Sequence, residues 1–301
     1  TTIKTHDVAD ESGLAGGLIG YIACDDGKLV DVKIDDCKTI DNNYTFVNSR
    51  NDNTRSNSKF IGGVAGDNGD VLTITKVTDS NSVLTETAAN NTPLTYKAMN
   101  EYVGGTRGAF TVIAEGVAYW NGFPKALPAP NSKGYIELTV PGEFVTLLNE
   151  GATGLKVTLK NSLDFAQLGE EDGKVAYVNG TLTPVVDYEK FSDFEFDGAN
   201  KTISNYSVVS NDTVAALFPK VVDATIKDLV ISGAYVDAGV GENAYAAAVI
   251  GVSYGPLSLT NVDVKESTIK GTNKVGGFVG LVAEDSLSLT NSNITTTTIK
   301  T

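Results

Sequence analysis

The stretch VGGFVGLVAEDSLSLTNSNITTTTI, from Val275 to Ile299, decides how this chain reads. It opens on a glycine pair inside an apolar run, passes through a turn, and continues with Leu and Ile alternating with Asn, Ser and Thr. The phrase recurs as LAGGLIGYIACDDGKLVDVKIDDCKTI from Leu14, FIGGVAGDNGDVLTITKV from Phe60 and AAAVIGVSYGPLSLTNVDVKESTI from Ala246. A looser copy, VAALFPKVVDATIKDLVISGAYV, starts at Val214. Repeats of this length predict a solenoid, because one copy buries its apolar face only by stacking on the next.

Aligning the copies puts Leu29, Leu259 and Leu289 in one column and Ile34, Val264 and Ile294 in another, with Val32, Val262 and Ser292 between them. Alternation with Asp31, Asn261 and Asn291 is the period-two pattern of a strand with one side inward. In a parallel β-helix such columns become ladders, apolar inside and Thr/Asn outside, at an interstrand spacing of about 4.8 Å. The Gly pairs are expected at corners, where positive φ or close backbone approach is needed. A phosphate-cradling loop is the weaker reading, since no Lys-Ser/Thr pair follows and the pattern recurs.

With 31 glycines, one Met and one Trp in 301 residues, the composition favours strands and turns over helices. No segment approaches the length of a membrane span, so membrane insertion is not expected. The formal charge of −14 repels nucleic acid and anionic membrane and sets both aside as partners. Asp25-Asp26 and Asp35-Asp36 read as solvated acidic turns rather than cation sites, because no ordered ligand spacing accompanies them. Cys24 and Cys37 lie at the two ends of one copy. A bridge and two small half-buried thiols both stay open, since spacing alone does not set the Cα separation.

These residues resemble the GLUG-motif repeat proteins, bacterial secreted or surface-anchored proteins with a right-handed parallel β-helix fold, many of them assigned to adhesion. VGGFVG from Val275, FIGGVAG from Phe60 and LAGGLIG from Leu14 look like the motif itself. FEFDGANKTISNYSV from Phe194 is similar to the strand-turn-strand that precedes it, and TVPGEFVTLLNEG from Thr139 to the short helix that caps the start of such a β-helix. The resemblance covers most of residues 135–301 and 14–85. It implies fold and surface location, and it supplies no catalytic, cofactor or metal residues.

The order of these parts predicts three segments. Residues 1–120 read as the C-terminal-type half of a β-helix, 121–134 as a Pro-rich linker (WNGFPKALPAPNSKG spans it), and 135–301 as a helix-capped N-terminal-type half. The helix is expected over 141–149, with Phe144, Leu147 and Leu148 on one face and Gly151 as the stop. The chain starts at Thr1 without a signal-like apolar region, which points to a processed or excised piece of a longer precursor. TTIKT occurs at both Thr1–Thr5 and Thr297–Thr301. A tandem array, head-to-tail stacking of subunits through exposed strand edges, and chance recurrence in a Thr-rich chain each account for it.

Many right-handed β-helices cleave polysaccharides, so clustered carboxylates matter. Asp193, Glu195 and Asp197 alternate with Phe194 and Phe196 and project from one strand face. The reading preferred is a polar outer face opposite two core phenylalanines, with Asp197-Gly198 making a turn. The only histidine, His6, lies at the start, so a His-based triad or a His-rich metal site is not expected. Of the three arginines, Arg50 and Arg55 fall in the polar stretch Asn48 to Lys59 and Arg107 elsewhere, and nothing marks a lyase base. Tyr119, Trp120 and Phe123 read as a cover over an open core end, with a sugar platform as the alternative.

The expectation is therefore an all-β chain: a right-handed parallel β-helix (solenoid) in two segments with a short capping helix mid-chain. The function expected is that of a non-enzymatic extracellular, cell-surface adhesin that presents loops such as Asn48–Lys59 and Gly233–Ala244 to a host or cell-surface protein or glycan. The second reading is a filament or layer subunit self-associating end to end, and the third a carbohydrate-active enzyme. No catalytic, cofactor or metal residue is assigned.

Overall fold

The computed structural model describes residues 2–4, 16–23, 32–48, 58–66, 71–88, 102–108, 111–120, 124–171, 174–183, 191–211 and 213–301. The described residues are all-β with one short helix. The chain divides into two compact units, Thr1–Gly116 with Gln167–Val178, and Val117–Ala166 with Asn179–Thr301.

In the first unit the repeat copies lie side by side as parallel strands. Val32–Asp35 pairs with Val71–Thr75, and that strand with Thr111–Ala114. The register stacks Val32, Leu72 and Val112 in one column and Ile34, Ile74 and Ala114 in the next. Period-two alternation sends Leu72, Ile74, Val112 and Ala114 to one side of the sheet, where they are buried. Ile19–Ala23, Ile61–Gly66 and Val103–Gly108 form a second parallel ladder, beside which Phe60 stacks on Tyr102 at 5.5 Å between centroids. Lys38–Ile40 pairs with Thr78–Ser80, and Thr2–Lys4, Asn43–Asn48 and Val83–Ala88 form a third ladder. Gln167–Glu171 and Lys174–Val178 make an antiparallel hairpin.

In the second unit the long strands Ser192–Ser204, Phe218–Ser232 and Leu257–Lys265 pair in parallel, and Leu257–Lys265 carries Leu287–Thr290 and Asn293–Thr295 on its far side. Leu259 faces Leu289 and Val264 faces Ile294, the columns expected from the alignment. Leu29, from the first of those columns, lies outside the described residues. Gly180–Leu182, Tyr206–Val209, Tyr235–Asp237, Thr268–Lys270 and Thr298–Lys300 form a five-stranded parallel ladder. The helix Pro141–Glu150 inserts Phe144 among Phe165, Phe196 and Phe218 at 6.0 Å edge-on, burying Leu147 and Leu148 beside it. Its first turn is closed by Glu143, whose Oε2 accepts from the backbone N–H of Thr139 at 2.6 Å and of Val140 at 3.2 Å. Burial pushes the Glu143 carboxyl up, although both hydrogen bonds oppose it.

Two of the three glycine pairs sit at corners, the chain bending at Gly17-Leu18 and at Gly277-Phe278 just before the strands Ile19–Ala23 and Val279–Val282, whereas Gly62-Gly63 lies inside the strand Ile61–Gly66. Gly16 and Gly276 have ordinary φ, and they are required by close approach: a Cβ on Gly276 would stand 2.0 Å from Val279 O, and one on Gly16 2.3 Å from Ile19 O. The left-handed turns sit elsewhere, mostly on polar residues. Asn205, Gly233, Glu266 and Thr296 stack with φ between 48° and 63°, and Asp228, Asn261 and Asn291 form a second such column. The N–H groups of the first three members of the first column donate to the residue before the next corner: Asn205 to Ser232 O at 3.0 Å, Gly233 to Lys265 O at 3.1 Å, and Glu266 to Thr295 O at 3.2 Å. Asn and Asp tolerate this conformation better than other L residues, and here the second column is also linked across rungs, Asn261 Nδ2 donating to Asp228 Oδ1 at 2.7 Å.

Candidate functional site

Asp193, Glu195 and Asp197 do lie along one strand, but they do not form a free carboxylate cluster. Asp193 occupies a left-handed turn at φ 48° and is exposed. Asp197 Oδ1 accepts from Ala199 N–H at 2.8 Å, closing the turn that the Asp-Gly pair predicts. Glu195 is enclosed by cations and a phenol contributed by neighbouring strands. Its Oε1 accepts from Lys227 Nζ at 2.8 Å and from Tyr135 Oη at 2.7 Å, and Lys156 Nζ lies 3.3 Å from its Oε2. Lys227 also reaches Asp197 Oδ2 at 3.5 Å.

Parallel register explains the assembly. Tyr135, Lys156 and Glu195 are successive rungs, and Asp197 faces Lys227. The hydrogen bonds from Lys227 and Tyr135 hold the Glu195 carboxyl at about 2, against a smaller upward push from burial. Lys227 is raised in turn, chiefly by its bond to Glu195. A carboxylate held this low stays ionised at neutral pH and has no proton to give to a leaving group, which speaks against Glu195 as a general acid. None of these pairings was expected from the sequence, where Tyr135, Lys156 and Lys227 stand far from Glu195; the column register was the signal that pairs them.

Of the two expected display loops, residues 49–57 lie outside the described residues. The other, expected over Gly233–Ala244, is shorter: Tyr235–Asp237 is a strand within the five-stranded ladder, so the loop runs over 238–244. It is held in place by Gly239 N–H donating to Asp237 Oδ1 at 3.0 Å and Gly241 N–H donating to Thr272 Oγ1 at 2.9 Å. The Asn273 amide donates to Glu242 O. At its tip Val240 is 80% exposed, the most exposed large apolar side chain among the described residues, with Glu242 exposed beside it. Below, Lys270 Nζ lies 4.6 Å from the Tyr235 ring centroid and Lys274 Nζ 4.6 Å from that of Tyr245.

The tier of strands Val279–Val282, Leu287–Thr290, Asn293–Thr295 and Thr298–Lys300 presents the second feature. Leu287, Leu289, Ile294 and Ile299 are 43%, 47%, 41% and 44% exposed, whereas their partners one tier back, Leu257, Leu259, Val264 and Ile269, are at most 2% exposed. The same inward columns continue without a following tier among the described residues. Covering the four side chains is worth on the order of 4 kcal/mol before the entropic cost of association.

The remaining candidates resolve simply. Trp120 is buried against Phe165 at 5.7 Å, its N–H backbone bonded to Asp164 O at 2.7 Å, so its indole faces core rather than solvent. Cys37 is half-buried with a free thiol, Sγ 3.5 Å from Asp35 O. His6, Cys24, Asp25, Asp26, Arg50, Arg55 and Phe123 lie outside the described residues, and Arg107 falls in the strand Val103–Gly108. Among the described residues no group of three or more His, Cys, Asp or Glu is arranged to hold a metal ion. No helix of the described residues is long and apolar enough to cross a membrane. Compared with models of known families, with curated proteins and with solved structures, the chain gives no match.

Proposed function

We propose that this chain is a non-enzymatic, extracellular surface protein of adhesin type, in which the coils of a right-handed parallel β-helix form a stiff support for presented loops. The parallel ladders within each unit support the helical winding, since parallel strands require crossover connections and those are right-handed in nearly all proteins. The helix Pro141–Glu150, with Phe144 in the phenylalanine cluster, fits a cap over the start of such a core.

The observation that carries display is the loop at 238–244. Its backbone is fixed by bonds to Asp237 at the end of a strand and to Thr272 in the neighbouring turn, while Val240 is exposed. A rigid loop with an exposed apolar tip loses little conformational entropy on binding, which is what a recognition element needs. The class of partner is a host or cell-surface protein or glycan. Labelled chain titrated onto immobilised matrix proteins and glycans should bind saturably, and Val240→Asp should abolish binding without moving the melting temperature. Absence of saturable binding across both sets, or undiminished binding by the variant, sinks this reading of the loop.

The exposed Leu287, Leu289, Ile294 and Ile299 favour a second reading, a structural subunit that assembles end to end into a surface filament or layer.

A further inference from the structure

We infer that Asn131 plugs the open edge of the strand Tyr135–Leu138 and that, with Glu137, it keeps this edge from pairing with the same strand of a second copy. The chain thus carries its own block against one mode of self-association.

Within the second unit Tyr135–Leu138 pairs in parallel with Lys156–Leu159, and no other strand of the described residues pairs with it. Lys160 N–H donates to Leu138 O at 2.8 Å, so Ile136 and Leu138 turn their peptide groups towards Lys156–Leu159. Tyr135 and Glu137 turn theirs the other way, to the open edge. A row of donors and acceptors of this kind is a template for another chain. The strand is fixed independently of what lies on that edge: Ile136 and Leu138 are buried, and Tyr135 Oη donates to Glu195 Oε1 at 2.7 Å.

Asn131 occupies the first rung of the edge without belonging to a strand. Its N–H donates to Tyr135 O at 2.8 Å and its Oδ1 accepts from Tyr135 N–H at 3.1 Å, so one residue satisfies both peptide groups that Tyr135 presents. The turn holds it there. Oδ1 also accepts from Lys133 N–H at 2.9 Å, and Asn131 O accepts from Gly134 N–H at 2.9 Å, with Gly134 at φ 82°. A side-chain oxygen stands where a neighbouring strand would place a carbonyl, and no strand follows on the next rung, where Glu137 stands.

Glu137 guards that rung. Asn131 Nδ2 donates to its Oε1 at 2.8 Å, which fixes an exposed carboxylate beside the edge, and a charge there opposes the approach of a further strand. The strand that would otherwise fit is its own copy. Paired antiparallel about a two-fold axis at Ile136, Ile136 faces Ile136 and each Tyr135 faces the other copy's Glu137, so no like charges lie directly opposite. The block therefore has to come from the edge itself, and Asn131 with the carboxylate it positions supplies it.

Hydrogen exchange and light scattering on the full chain test the block. In dilute Asn131→Ala the Tyr135 amide should exchange about fivefold faster than in the parent, the factor that loss of one net hydrogen bond implies. Ser132→Ala, exposed in the same turn, should leave that amide unchanged. Asn131→Ala combined with Glu137→Thr should gain mass with concentration and approach about twice the parent's mass, since a two-fold contact closes at a pair. Comparison with the parent at equal concentration removes any association through another surface. A Tyr135 amide that slows again as the double variant pairs identifies this edge as the contact. An unchanged Tyr135 amide in Asn131→Ala, equal masses for parent and double variant, or a gain in mass that comes only with loss of the strand signal in circular dichroism overturns the inference.

Discussion

Lys227 Nζ lies 2.8 Å from Glu195 Oε1, across the rung that joins two parallel strands, and it is 3.5 Å from Asp197 Oδ2 as well. The ammonium thus links two of the three carboxylates that alternate with Phe194 and Phe196. In the first unit Asp79 has a similar position: Lys59 Nζ stands 2.8 Å from its Oδ2 and Thr39 Oγ1 donates to its Oδ1 at 2.7 Å. Burial pushes the Asp79 carboxyl up, but hydrogen bonds from Lys59, Ser82 and Thr39 outweigh it and hold the group at about 2.

These two carboxylates give the stability a defined acid limb. Glu195 and Asp79 are depressed to about 2 from their ordinary 4.5 and 3.8, so the stability they contribute is complete above those ordinary values and is lost as pH falls towards 2. The melting temperature should therefore fall between about pH 5 and pH 2. Lys227→Met should flatten part of that slope; an unchanged slope would show that the ion pair contributes nothing.

Replacing Phe144 by Ala removes the ring that touches Phe165, Phe196 and Phe218 in a site with no exposure. The expected loss is about 3–5 kcal/mol in denaturant unfolding of the second unit. A loss under about 1 kcal/mol would mean that the helix is not part of the core.

Gly276→Ala tests close approach against turn conformation. The added methyl meets a backbone oxygen at 2.0 Å, which no side-chain rotation relieves, and the cost should be about 1–3 kcal/mol by thermal melt. Glu266→Gly, at a left-handed corner one tier back, should be neutral or stabilising because glycine adopts φ 53° without strain. The opposite ranking would mean that close approach is not what requires glycine at 276.

Incubation with a panel of acidic and neutral polysaccharides should release no new reducing or unsaturated ends, with Asp197→Asn identical to the parent chain. Release that Asp197→Asn abolishes would restore the carbohydrate-active reading.

The helix at 141–150 and the columns Leu259/Leu289 and Val264/Ile294 were legible in the sequence because both rest on local periodicity: Pro141 and Gly151 bound the helix, and alternation of apolar with Asn or Thr sets the inward face. The corners at Gly16-Gly17 and Gly276-Gly277 were legible too, but glycine permits two things, positive φ and close approach, and a sequence does not say which is used. The loop at 238–244 was overestimated because Tyr235–Asp237 pairs with Thr268–Lys270, a partner remote in sequence.

What the sequence determined by itself is the repeat, the inward columns and the all-β class, since these follow from periodicity and from residues too small or too branched for helices. Only the tertiary structure decided which charges meet, which residues bend left-handed, and that Leu287, Leu289, Ile294 and Ile299 face solvent while their counterparts one tier back do not. Those properties depend on what lies on the adjacent rung, and adjacency across rungs is set by register rather than by order along the chain.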